Sequence, residues 1–289
     1  MIPSAAKPIL VVSKKTFFER YALELKEAHF ITRMAQDPGL ADTLEKEFDE
    51  NRTAVEAVVA YLQRNGLAHA TGTGQEDLVD GRYSLVVAVG GDGTLLAASH
   101  GVEKTPVVGV NSRPGFSVGY FCTADRANFR RVLDSILDGK EQPRELMRMD
   151  VKVNGVRMRP PALNDILFAC INPAASTSYL LRCDNVEESQ KSAGIWLATP
   201  AGSTAGIHAA GGRRMNLSEL TMQYLVREPY SRPRQRLQLK RGYFLDGFSV
   251  TNLTPEAALY VDGSRIVHRL VYGDVIEPAV SEHPLRIYL

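Results

Sequence analysis

The chain has 289 residues, of which 44% are hydrophobic and 23% are charged, so it is long enough to form two globular domains. Its 34 Lys and Arg residues and 33 Asp and Glu residues leave a net charge of +1, which excludes a global attraction to nucleic acid or to an anionic membrane. Three cysteines at spacings that fit no zinc motif, with no recognisable targeting signal and no membrane-length apolar run, predict a cytoplasmic protein.

The first half of the chain alternates short apolar runs with amphipathic stretches. The predicted strands are 9–12, 85–89 and 107–110, and the predicted helices are 17–30, 41–62 and 126–137. This alternation is typical of a doubly wound parallel α/β sheet, which we predict for residues 1–143. In such sheets ligands bind at the carboxyl ends of the strands.

Beyond residue 143 the pattern changes to short alternating segments separated by turn residues. This pattern predicts a mainly antiparallel β domain at 144–273, with Trp196 assigned to its core. The predicted strands are 150–153, 166–168, 177–182, 195–198, 223–226, 248–252, 258–261 and 267–271. The final segment, 274–289, is interrupted by two prolines, and we expect it to pack back on the first domain.

The most informative motif is Gly90-Gly91-Asp92-Gly93-Thr94, which follows the strand predicted at 85–89 and precedes a helix predicted from Leu95. Glycines at the end of a buried strand let backbone N–H groups approach a phosphate closely. A carboxylate beside a polyphosphate is repulsive unless it takes a proton or holds a metal, so Asp92 is a candidate general base or magnesium partner. The alternative is a plain Gly-Asp-Gly turn, but three glycines and a Thr before a helix favour phosphoryl chemistry.

A second motif, Thr199-Pro200-Ala201-Gly202-Ser203-Thr204-Ala205-Gly206, follows a predicted strand and precedes a predicted helix. Its amides and hydroxyls could bind an anion or a nucleotide, and an ordinary N-capped helix is the alternative. Asn164-Asp165 likewise is either a turn or a pair of groups for ribose hydroxyls.

Together these motifs resemble the ATP-dependent NAD kinase family, and the resemblance covers most of the chain from Ile9 onward. The family shows Gly-Gly-Asp-Gly-Thr, Gly-Ile/Val-Asn, Asn-Glu, Thr-Pro-Thr-Gly-Ser-Thr-Ala-Tyr and Asp-Gly in that order. The matching segments here are Gly90–Thr94, Gly109–Asn111 with Gly119-Tyr120 after it, Asn164-Asp165, Thr199–Gly206 and Asp262-Gly263. Gly-Asp-Gly also occurs in lipid kinases and phosphofructokinases, whereas Thr-Pro-x-Gly-Ser-Thr is characteristic of NAD kinases.

The resemblance implies an α/β domain and a β domain with the active site in the crevice between them, in homodimers or homotetramers whose subunits help to complete the site. It implies that Asp92 accepts the proton of the adenosine 2′-hydroxyl of NAD or NADH, with ATP as donor and Mg²⁺ bound to the ATP instead of to a site of the protein. Polyphosphate is an alternative donor. The substrate-binding residues that it implies are Gly91, Gly93, Thr94, Asn111, Tyr120, Asn164, Asp165, Thr199, Ser203, Thr204, Ala205 and Ala209.

Three positions depart from the usual bacterial pattern of the family. Gly206 replaces Tyr, Asp165 replaces Glu, and Ala193 stands where Asp commonly precedes a Gly. We expect a wider and less acidic pocket, closest to the plant-type NADH kinase branch. Because oxidised nicotinamide is cationic and reduced nicotinamide is neutral, a lost carboxylate predicts that NADH is accepted at least comparably with NAD.

Two other classes of protein would use parts of the same pattern. A lipid kinase would share the glycine loop but needs an apolar membrane-binding face, and the sequence shows no such stretch. A non-catalytic dinucleotide sensor would keep Asn164 but would not need Asp92. Candidate triphosphate contacts are Arg213, Arg214, Arg232, Arg234 and Arg236, although ordinary surface arginines are more common.

Overall fold

The computed structural model describes residues 7–73, 81–231 and 236–289, so Arg232 and Arg234 lie outside the described residues. The chain divides into two units, Met1–Glu145 with Leu285–Leu289, and Leu146–Pro284. Within the described ranges, no helix combines the length and the hydropathy that a membrane span requires.

The elements of the first unit alternate between strands and helices, as the sequence predicts. In chain order they are β1 (Ile9–Ser13), a π-helical turn (Phe18–Glu24), α1 (Ala28–Gln36), α2 (Pro38–Arg64), β2 (His69–Gly72), β3 (Leu85–Gly90), α3 (Asp92–Ser99), β4 (Val107–Asn111), β5 (Cys122–Asp125), α4 (Phe129–Leu137) and β6 (Arg144–Leu146).

The second unit consists mainly of strands. They are β7 (Met149–Val153), β8 (Val156–Arg157), β9 (Asp165–Cys170), β10 (Thr177–Cys183), β11 (Val186–Ser192), β12 (Ile195–Ala198), β13 (Met222–Val226), β14 (Arg241–Phe244), β15 (Phe248–Asn252), β16 (Ala257–Val261), β17 (Ile266–Leu270) and β18 (Val275–Val280). A 3-10 turn (Ala201–Thr204) and a four-residue helix, α5 (Gly206–Ala209), follow β12, and β19 (Leu285–Tyr288) ends the chain.

The first unit is built on one sheet in the order β2-β1-β3-β4-β19-β6, with β5 pairing with β4. β1 pairs with β2 and with β3 in parallel, and β4 pairs in parallel with β3, β5 and β19. Apolar residues of α2 and α4 pack against β1, β3 and β4 to form the core. The predicted doubly wound α/β class is therefore confirmed.

The second unit has two antiparallel sheets, in the orders β11-β10-β15-β18-β7-β8 and β14-β13-β12-β9-β16-β17. Both sheets contribute to one apolar core, in which the rings of Phe168 and Tyr179 meet edge to face at 5.7 Å. The predicted antiparallel β class is confirmed, and every predicted strand has a counterpart.

The predicted helix at 17–30 is interrupted. The π-helical turn ends before Lys26, whose φ of 47° reverses the chain, and α1 then begins at Ala28. The Glu27 carboxylate accepts bonds from the N–H groups of His29 and Phe30, which caps α1 and separates it from the preceding turn.

Two other helices begin at different residues than expected. α2 begins at Pro38, before the expected 41, because Asp37 caps it and proline suits the first helical position. α4 begins at Phe129 because the Asp125 carboxylate binds the N–H groups of residues 127 and 128 in a turn that precedes the helix.

The C-terminal segment 274–289 is divided between the two units. β18 is an interior strand of the second unit, and β19 alone joins the parallel sheet of the first. Pro278 is tolerated in β18 because the pairing with β15 involves only Val275 and Ile276, so the missing N–H breaks no bond to β15.

Candidate active site

The turn between β3 and α3 carries the Gly-Gly-Asp-Gly-Thr motif. β3 is buried along its whole length and ends at Gly90, and α3 begins at Asp92 instead of the expected Leu95. Gly91 is extended and precedes the first helical residue, Asp92. The positive end of the helix dipole therefore lies beside the Asp92 carboxylate and beside any phosphate bound there.

The Asp92 carboxylate is held by two backbone N–H groups. Its Oδ2 accepts a bond from Tyr120 and its Oδ1 accepts one from Phe121, each at 2.9 Å. An ionised carboxylate has about four lone-pair positions, so each oxygen retains one for a ligand. Asp92 is thus fixed in orientation and still able to accept the proton of a hydroxyl.

The glycines of this turn have different surroundings. A Cβ at Gly90 would collide with Thr94, and one at Gly91 would lie 2.5 Å from Ser117 Oγ. Gly93 is exposed, and apart from its chain neighbours and the backbone of its own helix no atom of the described residues lies within 4 Å of the place where its Cβ would be. Of these three glycines, Gly93 has the most free space beside its backbone, so a ligand can approach it most closely.

Asn111, at the end of β4, shapes the loop 112–120. Its Nδ2 donates to the carbonyl of Ser117 at 3.2 Å, and its Oδ1 accepts from the N–H of Arg113 at 3.0 Å. Gly119 has φ +60°, and a Cβ there would collide with the Asn111 amide. The loop ends at Tyr120, whose ring is 43% exposed.

Arg113 fastens the same loop to α2. Its guanidinium pairs with Glu50 at 2.7 Å and with Glu47 at 3.4 Å, and it lies 4.3 Å from the centroid of the Phe116 ring. The loop is therefore tied near one end by Arg113 and at the other end by Asp92.

Cys122 lies beside Asp92 but is not a nucleophile. Burial and the negative charge of Asp92 raise the pKa of its thiol to about 12. Because the thiolate is the reactive form, Cys122 stays inert at neutral pH.

In the second unit, Asp262 holds the segment that carries Asn164 and Asp165. Its Oδ2 accepts the N–H of Leu163 at 2.8 Å, and its Oδ1 accepts those of Asn164 at 2.7 Å and Asp165 at 3.0 Å. Asp262 lies in the turn between β16 and β17 with φ 49°. Asp262-Gly263 is part of the family pattern, and the structure adds Asp262 to the predicted site residues as the group that holds Asn164 and Asp165.

The Asn164 side chain has an acceptor without a partner among the described residues. Its Oδ1 is buried and has no hydrogen-bond partner in the part of the chain that the structure describes. Because a buried unsatisfied oxygen is unfavourable, a hydroxyl donor from a ligand would be stabilised there.

Asp165 is a buried carboxyl in the same segment. Burial, and next the charge of Asp262, raise its pKa to about 7, and the N–H of Gly206 that it accepts opposes this rise. Asp165 therefore changes protonation near neutral pH.

The segment 199–209 folds into the 3-10 turn and α5, and not into the longer helix that the sequence predicted. Thr199 Oγ1 donates to the carbonyl of Leu163 and accepts the N–H of Gly202, and Ser203 Oγ donates to the carbonyl of Pro200. Both hydroxyl side chains are fully buried, so they shape the segment. Thr204 and Ala205 are half-buried and Ala209 is exposed, so these three are open to a ligand.

Trp196, assigned to the core from the sequence, packs against a hydrophobic cluster but is not fully buried. Its indole is half-buried and packs against a small cluster of Ala198, Ile207 and Leu225 outside the main core. The indole also lies beside Gly206, the position at which the family commonly has Tyr. Trp196 therefore occupies part of the space next to this glycine.

Among residues 7–73, 81–231 and 236–289, no three His, Cys, Asp or Glu side chains converge in a way that could hold a metal ion.

A glycine turn with an oriented carboxylate between a parallel strand and a helix is typical of a nucleotide-dependent phosphotransferase. Comparison with known proteins agrees with this class. The family model for the ATP-NAD kinase N-terminal domain matches residues 12–141.

Two plant proteins are similar over most of their length. A probable NADH kinase of Oryza sativa subsp. japonica is 39% identical over 229 residues, which cover 71% of this chain and 70% of that protein. The NADH kinase of Arabidopsis thaliana is 35% identical over 230 residues, which cover 71% and 72%. The chain belongs to the NAD kinase family, and its expected similarity to the plant-type branch is confirmed.

Two solved structures share the fold. A crystal structure of an NAD kinase from Archaeoglobus fulgidus in complex with ATP has a TM-score of 0.70 at 19% identity and covers 98% of this chain and 93% of that one. A crystal structure of yeast NADH kinase complexed with NADH has a TM-score of 0.68 at 18% identity and covers 99% and 84%.

Proposed function

We propose that this chain is an NAD(H) kinase, which transfers the γ-phosphoryl group of ATP to the 2′-hydroxyl of the adenosine ribose of NAD or NADH. The observation that carries the proposal is Asp92, a carboxylate oriented by two N–H groups at the start of α3 with lone pairs left for a hydroxyl. Membership of the NAD kinase family names the substrate class.

The reaction forms a bond between the ribose 2′-oxygen and the γ-phosphorus and breaks the bond from that phosphorus to the bridging oxygen of ADP. The proton of the hydroxyl passes to Asp92. Phosphoryl transfer has a loose transition state, so positioning and neutralisation of charge supply most of the rate. The open backbone at Gly93 and the first turn of α3 are suited to the phosphate oxygens.

The site residues divide into those that contact ligand and those that hold them in place. We assign direct contacts to Gly93, Tyr120, Asn164, Thr204, Ala205 and Ala209, which are exposed, half-buried or unpaired. We assign positioning to Gly91, Thr94, Asn111, Asp165, Thr199, Ser203 and Asp262, whose atoms are buried or used within the protein.

Magnesium enters the proposal as part of the donor, Mg²⁺-ATP, and polyphosphate is the alternative donor. We propose a homodimer or homotetramer as the working form. Sedimentation of the purified chain gives its mass directly, and a monomer that is fully active would contradict this part of the proposal.

The activity is tested with purified chain, Mg²⁺, and either ATP or polyphosphate, against NAD or NADH. The 2′-phosphorylated product is measured with an NADP-specific dehydrogenase. We expect product with ATP and at least one dinucleotide. Absence of product with every donor and acceptor pair would contradict the proposed function.

The role of Asp92 is tested by Asp92→Asn. Loss of the base predicts a fall in turnover of about 100-fold or more. Because the amide nitrogen must face the N–H of Tyr120 or Phe121, KM for the dinucleotide rises as well. Asp125→Asn is the matched control, since Asp125 also accepts two backbone N–H groups, and we expect near-normal turnover. Near-normal turnover in Asp92→Asn would remove Asp92 from the chemistry.

A further inference from the structure

Gly206 lies between an aromatic ring and a carboxylate. A Cβ built on Gly206 would be 3.0 Å from Cη2 and Cζ2 of Trp196 and 3.5 Å from Oδ2 of Asp165. The first distance is shorter than ordinary van der Waals contact, so a side chain at position 206 requires the indole to shift by a few tenths of an ångström. Because Gly206 has no side chain, the Trp196 indole can pack directly beside its backbone.

Trp196 points away from the main core. Successive residues of a strand point to opposite faces, and its neighbours Ile195 and Leu197 in β12 belong to that core with exposures of 0% and 1%. Trp196 therefore lies on the other face of its sheet, where it pairs in register with Leu167 of β9 and Leu225 of β13. Asp165 of β9 pairs with Ala198 of β12, two residues along, and so belongs to the same face.

The Trp196 indole is half-buried, with its inner side against the small cluster of Ala198, Ile207 and Leu225. It is followed along the chain by the segment 199–209, to which we assign three ligand contacts. A partly exposed indole next to such a segment offers a flat apolar surface of the kind on which heteroaromatic rings stack.

We propose that Trp196 binds the dinucleotide by stacking its indole on one planar ring, either the adenine or the nicotinamide. This proposal rests on the proposed function, because it takes the ligand of the second unit to be NAD or NADH. Gly206 belongs to the same site, since its Cβ position lies 3.0 Å from the indole on one side and 3.5 Å from Asp165 Oδ2 on the other.

The proposal can be tested spectroscopically because Trp196 is the single tryptophan of the chain. Acrylamide quenching of its fluorescence is measured in the full chain alone and with saturating NAD, AMP or nicotinamide mononucleotide. We expect NAD to reduce the quenching constant at least twofold, and the fragment that gives the same protection identifies the stacked ring. NAD is used first because NADH absorbs the tryptophan emission.

Dinucleotide binding is measured separately by equilibrium dialysis. This distinguishes failure of the proposed function from failure of the proposed role of Trp196. No binding of NAD or NADH would overturn the proposed function. Binding without any protection of the indole would overturn the role of Trp196 and leave the proposed function standing.

Substitution gives a second, independent readout. We expect Trp196→Leu to raise KM for the dinucleotide by about 10-fold with KM for ATP unchanged, whereas Trp196→Phe keeps most of the affinity because it keeps a ring. Tyr243→Leu is the control, since Tyr243 is 45% exposed on β14, the edge strand of the same sheet, and we expect an unchanged KM. Equal effects of the Leu and Phe variants, or a matching rise in KM for ATP, would contradict a stacking role.

Discussion

Asp92 and Asp262 use their carboxylates in the same way, although they belong to different units. Each accepts backbone N–H groups from a segment far along the chain with both of its oxygens. Bonds to an ionised acceptor are about twice as strong as neutral ones, so each aspartate fixes a loop as well as a charge. Replacing either residue alters geometry and chemistry together, and a residue with room beside it for an added methyl group gives a cleaner test of ligand binding.

Gly93 is such a residue. Gly93→Ala adds a methyl group that meets no other part of the described chain than its own helix and its chain neighbours. Alanine near the start of α3 also stabilises the helix by up to about 1 kcal/mol. We therefore expect the unfolding midpoint to stay the same or rise. If phosphate approaches this backbone, KM for ATP rises by about 10-fold, which corresponds to about 1.4 kcal/mol of lost binding.

Gly91→Ala is the contrasting variant, because its methyl group meets Ser117 Oγ and lowers stability. Steady-state kinetics and denaturant unfolding of both variants separate the two effects. An unchanged KM for ATP in Gly93→Ala would show that no phosphate binds at this backbone.

Asp165 makes stability depend on pH. Its pKa is about 7 in the folded chain, against an ordinary value of 3.8, so the folded state binds the proton more tightly than the unfolded state. This group therefore favours folding at low pH, and its contribution declines as pH rises from about 4 to about 7 and is constant above that. The difference of about three units between the two pKa values corresponds to a loss of up to about 4 kcal/mol in the free energy of unfolding.

Asp165→Asn removes this titration while keeping an oxygen for the Gly206 N–H. We expect the free energy of unfolding of the variant to increase, relative to that of the native chain, as pH rises from 4 to 7. Urea unfolding of both proteins at several pH values measures the difference. Parallel curves across this range would contradict the raised pKa of Asp165.

At the scale of elements, the loop 112–120 depends on α2 for its position. Arg113 is 13% exposed at its side chain and makes two ion pairs and a ring contact, so Arg113→Met leaves Glu47 and Glu50 without their partner. We expect a loss of about 1–3 kcal/mol in stability and a rise in KM larger than the change in kcat.

Arg52→Met is the matched control for Arg113, since Arg52 pairs with Asp49 and Glu56 on the exposed surface of the same helix. Exposed pairs contribute about 0–1 kcal/mol, so we expect little change in stability or kinetics. Thermal unfolding and kinetics of the two variants settle the comparison, and equal losses would show that Arg113 has no special role in the loop.

Much of the element pattern could be predicted because strand signals are local. Apolar runs such as 85–89 identify buried strands directly, and a glycine motif at the end of such a run locates the ligand edge of a parallel sheet. β11 was missed because its sequence, Val-Glu-Glu-Ser-Gln-Lys-Ser, has no apolar alternation, which a strand at the edge of its sheet does not require.

The contacts that build the site could not be predicted, because they join residues distant in sequence. Asp262 holds residues 163–165 from 97 to 99 positions away, and no spacing rule links them. Trp196 packs against a hydrophobic cluster, as a tryptophan in an apolar strand usually does, but its partial exposure could not be predicted from the sequence.

At the scale of the whole molecule, the net charge does not select between oxidised and reduced dinucleotide, so any preference must come from residues near the nicotinamide. A net charge of +1 gives no general field that would favour either form. Ala193 stands where the family commonly has Asp, and its carbonyl accepts a bond from Nη1 of Arg227 at 3.4 Å. Position 193 thus has no carboxylate and has the positive charge of Arg227 beside it. Neither feature attracts the cationic ring of oxidised nicotinamide.

We therefore expect kcat/KM for NADH to equal or exceed that for NAD in the native chain. Ala193→Asp restores a carboxylate and should shift the ratio toward NAD by about 5-fold, since two charges at close range near a protein surface interact by about 1 kcal/mol or more and Arg227 offsets part of this. Ala193→Asn, of the same size without the charge, should leave the ratio unchanged. A strong preference of the native chain for NAD, or equal shifts in the Asp and Asn variants, would show that charge at position 193 does not select the redox form.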